Sequence, residues 1–189
     1  MTDASGIEVL RIEHRAILRM LDVTRELAHL LEAGAEVPPE MLDAVAEFMR
    51  VFGDEHLRKE EEYLFPSLGK RGASLDGMAI ESLQRDHDRS RMLLEKMSAA
   101  AAGYRAHRPK ADRNWGRFAS EYAAVLRRHI DKEEEVFYPA AEQLLTAEQQ
   151  RVLAESLRRR AEESLPKERS QHFSTMAETM AADLLVPTV

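Results

Sequence analysis

The stretch "HIDKEEEVFYP", residues 129–139, is a second copy of a pattern already present at residues 56–66 as "HLRKEEEYLFP". Each copy has a His, a Glu four residues later, further acids, an aromatic residue and a proline. A His and a Glu at i and i+4 lie one above the other on a helix face. Each copy therefore predicts an imidazole and a carboxylate pointing the same way, with a break at the proline. The frame extends further: His14 and His87 are 73 residues apart, as are His56 and His129, Glu60 and Glu133, and Pro66 and Pro139. Coordinating residue types held in one repeated register predict a duplicated helical hairpin, with two sets facing each other across a pseudo-twofold axis.

Apolar periodicity around the repeat predicts helices throughout. Ser5 and Glu8 have capping-box spacing, and a stripe of Ile7, Leu10, Ile17, Leu21, Ala28 and Leu31 runs to Gly34. "VPPE" at 37–40 places proline where a helix begins, and Met41, Val45, Phe48, Phe52, Leu64 and Leu68 carry the second stripe to Gly69. "GASLDG" at 72–77 predicts a new start, followed by Ile80, Leu83, Leu94, Met97 and Ala101 up to "HRP" at 107–109. The fourth helix carries Trp115, Phe118, Tyr122, Val125, Val136 and Phe137 and is expected to end near Pro139. Thr146 with Gln149 caps a fifth segment, and Pro166 separates it from a sixth ending near Leu185. No stretch alternates with period two, so no strand is expected. Short loops between long amphipathic helices predict an all-α, up-down-up-down four-helix bundle over 1–145, with two additional C-terminal helices in 146–189 packed on it.

Composition limits function. The 189 residues are 44% apolar and carry a net charge of −7 with scattered Lys and Arg, so neither nucleic acid nor an anionic membrane is an expected partner. The first residues, "MTDASGIEVLR", are acidic without an apolar core, so no signal peptide is expected. No apolar run is long enough to span a bilayer, and a cytoplasmic location follows as the expectation. Cysteine is absent, which excludes thiolate metal sites and a Cys nucleophile.

The four histidines interrupt the apolar stripes, as in Leu10–His14–Ile17 and Leu83–His87, so they and the two glutamates are expected to point into the core. His14 and His56 lie about equally far from the first inter-helix turn, and His87 and His129 from the third, so at about 1.5 Å per residue all four meet at one level. Six buried polar groups without partners would cost several kcal/mol each. Cations resolve that cost: imidazole nitrogen and carboxylate oxygen without thiolate suit iron, manganese or zinc. The expectation is a dinuclear centre.

The set His14, His56-x-x-x-Glu60, His87 and His129-x-x-x-Glu133 resembles the hemerythrin-like HHE cation-binding domain over roughly residues 5–142. That resemblance implies a four-helix bundle with two iron ions. His14 and His56 would hold one, His87 and His129 the other, and Glu60 and Glu133 would bridge them, with Glu134 the alternative second bridge. The oxygen-carrying members have a fifth histidine four residues after the third-helix His, where this chain has Arg91. Counting ligands on two six-coordinate irons then leaves two open positions rather than one. The expected ligands are O₂, peroxide, nitric oxide or iron itself, sensed or handled rather than stored. An enzyme consuming peroxide or nitric oxide is the alternative, and a helical interaction module with a vestigial polar core is a third.

The remaining polar groups read as structural. Glu61, Glu62, Glu134 and Glu135 are expected on a solvated face, with Glu134 alone also a candidate ligand, Tyr63 in the core or donating a hydrogen bond to the centre, and His29, His107 and His172 outside it. Met176 and Met180 in the C-terminal helices suit a stabilising flap or a homodimer surface.

Overall fold

The computed structural model describes residues 5–68, 74–75 and 78–185. Helix α1 (Gly6–Glu32) begins where the Ser5 hydroxyl accepts from the Glu8 amide at 3.2 Å. It ends before Gly34, whose φ of +79° only glycine adopts without strain. Helix α2 (Pro39–Phe48) begins on the proline pair, and α3 (Asp54–Lys59) and α4 (Phe65–Leu68) continue its path. Two π-helical turns, Met49–Gly53 and Glu60–Leu64, join the three. Helix α5 (Ile80–Arg105) is uninterrupted. Helix α6 (Ala111–Lys132) passes through a π-helical turn at Glu133–Phe137 into α7 (Tyr138–Leu144). Helix α8 (Ala147–Ser164) opens on a complete capping box between Thr146 and Gln149, and α9 (Lys167–Leu184) follows Pro166.

The packing closes a ring: α1 lies against α2 and α6, and α5 lies against the same two. Helices α8 and α9 both pack on α1. Met176 and Met180 of α9 rest against the main core beside buried Phe173. Buried apolar residues form two clusters, one built on Ile17, Leu27, Phe48, Met97 and Trp115, the other on Ile7, Leu10, Leu64, Leu83 and Phe137. On each of the four ring-forming segments, the predicted polar residues fall between the two clusters.

Two expectations are corrected. A two-residue antiparallel ladder, Ser74–Leu75 with Met78–Ala79, precedes α5 where a helix start was expected; residues 69–73 and 76–77 of that segment lie outside the described residues. The prolines also do not break the chain. Pro66 and Pro139 each sit two residues past a π-helical turn, closed by the amides of Phe65 and Tyr138 reaching back to the carbonyls of Glu60 and Glu133. The widened turn accommodates a ring with no N–H, and α7 runs on to Leu144.

Candidate metal centre

The four histidines and two glutamates converge in the middle of the ring, each at most 1% exposed. Two quartets of ligand-type atoms form, each with its members within 4.8 Å of one another: His14, His56, Glu60 and Glu133, and Glu60, His87, His129 and Glu133. Both glutamates belong to both quartets. Glu60 Oε1 lies 3.7 Å from His56 Nε2, while its Oε2 lies 3.3 Å from His87 Nε2. Glu133 Oε2 lies 3.4 Å from His14 Nε2 and 3.2 Å from His129 Nε2.

The outer nitrogens are held by a surrounding shell of carboxylates. Nδ1 of His14 donates to Glu134 at 2.6 Å, that of His56 to Glu13 at 3.0 Å, and that of His87 to Glu61 at 2.7 Å. Asp86, shorter by one methylene, stands 3.8 Å from His129 Nδ1, too far for a direct bond. A carboxylate only accepts, so on His14, His56 and His87 it fixes the proton on Nδ1 and turns Nε2 inward. Each carboxylate in turn carries a cation: Arg11 on Glu134 at 3.1 Å, Lys59 on Glu13 at 2.5 Å, Arg91 on Glu61 at 2.9 and 3.1 Å, and Lys132 on Asp86 at 2.7 Å.

These charges set the local protonation. Burial opposes charge on His14, but the neighbouring carboxylates of Glu133 and Glu134 outweigh it and lift its pKa to about 9. His87 and His129 are raised for the same reason, against burial, by Glu60 with Glu61 and by Glu133 with Asp86. Glu60 is held well below its ordinary value against burial by His56, His129 and His87. Glu61 and Asp86 are likewise lowered to about 2 despite desolvation, through His87 with Arg91 and His129 with Lys132. Four outer carboxylates matched by four cations leave the inner pair, Glu60 and Glu133, to attract positive charge.

A metal pair fits these residues. His56 Nε2, Glu60 Oε2 and both Glu133 oxygens are buried with no hydrogen-bond partner, although buried polar atoms are normally satisfied. His87 Nε2 and His129 Nε2 face each other at 3.1 Å, the separation of two nitrogens that share an ion at about 2.1 Å each.

The family of the hemerythrin HHE cation-binding domain matches residues 5–141. This chain belongs to that family. It is also 29% identical over 150 residues to the uncharacterized proteins Rv1995 of Mycobacterium tuberculosis and Mb2018 of Mycobacterium bovis, a match covering 79% of this chain and 58% of each relative.

Against the sequence reading, all six predicted residues of this hemerythrin-like chain come together. Glu133 is the one inside, and Glu134 backs His14 from the far side. Glu61 and Glu134 leave the solvated face assigned to that run and hold histidines. Tyr63 packs on the second apolar cluster. The hydroxyl at the centre belongs instead to Tyr138, which donates to Glu60 Oε1 at 2.5 Å and lies 3.3 Å from His14 Nε2. Burial, then Glu133 and Glu60, push its pKa well above the ordinary phenol range, so it remains a donor. His29, His107 and His172 are exposed, as expected. A signal for the outer shell was present in the same register, since Glu13 and Asp86, and Lys59 and Lys132, are also 73 residues apart.

Proposed function

We propose that this protein holds two iron ions bridged by Glu60 and Glu133, with His14 and His56 on one ion and His87 and His129 on the other. We further propose that it senses or handles O₂, peroxide, nitric oxide or iron at that centre rather than storing O₂. The unit would be an up-down-up-down bundle of residues 1–145, and residues 146–189 an extension docked on it. The observation that carries the reading is the set of partnerless buried atoms on His56, Glu60 and Glu133, shared between two quartets. Bound iron supplies Lewis acidity and a change of oxidation state. The chain's own residues do the rest: Nδ1–carboxylate bonds aim the imidazoles, and the flanking apolar clusters exclude water. Arg91, at the position of the carriers' fifth histidine, is committed to Glu61 and to Asp54 at 2.6 Å, which supports a centre left open there.

Consumption of peroxide or nitric oxide is the second reading, favoured by Tyr138, a buried hydroxyl donor beside the ligands. Metal quantitation with absorption spectra before and after peroxide tests both. About two metals per chain with a stable spectral change supports the sensor, repeated turnover supports the enzyme, and a metal-free chain after iron loading excludes both.

A further inference from the structure

In the 73-residue repeat the inner ligands, the carboxylates behind them and the two lysines keep their chemistry, Arg11 and Arg91 fall outside the frame, and one ring position differs. His14 answers His87, Glu13 answers Asp86, Lys59 answers Lys132 and Glu61 answers Glu134, but Phe65 answers Tyr138. The two rings do the same packing work. Phe65 stacks on His87 with centroids 5.9 Å apart and planes at 21°, and Tyr138 stacks on His14 at 5.3 Å and 5°. Phe65 shows that a bare ring suffices to fill this position against a histidine. The hydroxyl of Tyr138 is therefore an addition, and it points inward to Glu60 and to the ring nitrogen of His14 that faces Glu133.

We propose that Tyr138 Oη is a further donor of the centre, belonging to the His14–His56 position alone and making the two cation positions unequal. Its proton goes to Glu60 Oε1, which leaves the oxygen's lone pairs for the ion. Its 3.3 Å distance from His14 Nε2 falls within the spacing between neighbouring ligand atoms elsewhere in the cluster, 3.1 to 3.7 Å. Among the described residues the His87–His129 position has no such group: Phe65 presents only an apolar ring there, so a small exogenous ligand would bind on that side. The inference rests on the dinuclear reading above.

Anaerobic calorimetric titration of the metal-free protein with Fe(II), with bound iron counted after desalting, tests it. The parent takes up two ions in two steps about tenfold or more apart, a spread typical of removing one supporting group from a metal site. Tyr138→Phe still takes up two, but its tighter step weakens about tenfold while the weaker one moves less than threefold. Phe65→Tyr, which adds a hydroxyl on the other side, strengthens the weaker step and also narrows the gap. Should Tyr138→Phe not fold, Phe65→Tyr carries the test alone. A parent with two indistinguishable steps, or variants that keep the parent's spacing, overturns the proposal. A parent that takes up no iron overturns the dinuclear reading itself.

Discussion

Each histidine of the centre has two nitrogens with different duties, and the neighbouring glutamates separate accordingly. Glu133 is fully buried with neither oxygen bonded, whereas Glu134 holds His14 Nδ1 and Arg11. Glu133→Gln should therefore lose metal outright, while Glu134→Gln should keep the stoichiometry with affinity lowered about 10- to 100-fold. Equal losses by metal titration would contradict the division of roles. The protonation of His14 predicts a pH signature in chelator-treated protein. Its pKa of about 9 in the folded state exceeds the ordinary 6.5, so the bound proton stabilises the fold fully below about pH 6.5. That stabilisation is lost as pH rises through 9, on the order of 3 kcal/mol in all. Urea midpoints of the metal-free protein should fall across that window. Metal affinity should move oppositely, falling as pH drops below about 9, because imidazole must be neutral to bind. The six inner residues were legible because ligand type, helical spacing and repetition agreed. Tyr138 was not, because residues were projected onto an α-helical wheel. After Glu133 that wheel sends Val136 and Phe137 inward, but the π-helical turn adds a residue and brings Tyr138 in beside Phe137 in place of Val136.

Between elements, the lysines of the outer shell act as ties of unequal depth. Lys59 is 3% exposed and joins α3 to Glu13 of α1, whereas Lys132 is 30% exposed and joins α6 to Asp86 of α5. Removing a buried partner strands a charge, so Lys59→Ala should cost about 3–5 kcal/mol and Lys132→Ala about 1 or less. Chemical denaturation of both variants checks the order; equal costs would mean that Glu13 finds another partner. The docking of α8 on α1 is tighter still. A Cβ on Gly6 would lie 2.5 Å from Leu153 Cγ and 2.9 Å from its Cβ, which a rotamer change cannot clear. Gly6→Ala should destabilise by about 1–3 kcal/mol through overpacking, read as a lower thermal midpoint. Helix existence was visible from apolar stripes and caps, down to the Thr146–Gln149 box. The π-helical turns were not, because an inserted residue changes hydrogen bonding without leaving a composition signal, and the prolines read as stops.

At the scale of the molecule, the centre and helices α8 and α9 hold the same helices, α1 and α3. Arg160 of α8 binds Glu55 at 2.7 and 3.2 Å, Ser164 adds a bond to the same carboxylate at 2.6 Å, and Glu55 adjoins His56. Phe173 of α9 meets Phe48 edge-on with centroids 5.9 Å apart, inside the main cluster, and Leu153 and Leu157 of α8 belong to the other. Deleting residues 146–189 would therefore uncover both clusters at once. Each buried Leu or Phe contributes about 1.5–3 kcal/mol, so the loss rivals the whole stability of an ordinary domain. Metal works against that loss, because ions bound only by the folded state stabilise it, by about 2.7 kcal/mol at a hundredfold excess over Kd. The truncated chain should accordingly be unfolded or aggregated without metal and gain structure when iron is added, while the full chain folds either way and only gains in melting temperature. Thermal scans of both forms, with and without iron, give four midpoints. If the truncated chain melts where the full chain does, α8 and α9 add nothing to the bundle and their buried side chains have been misjudged.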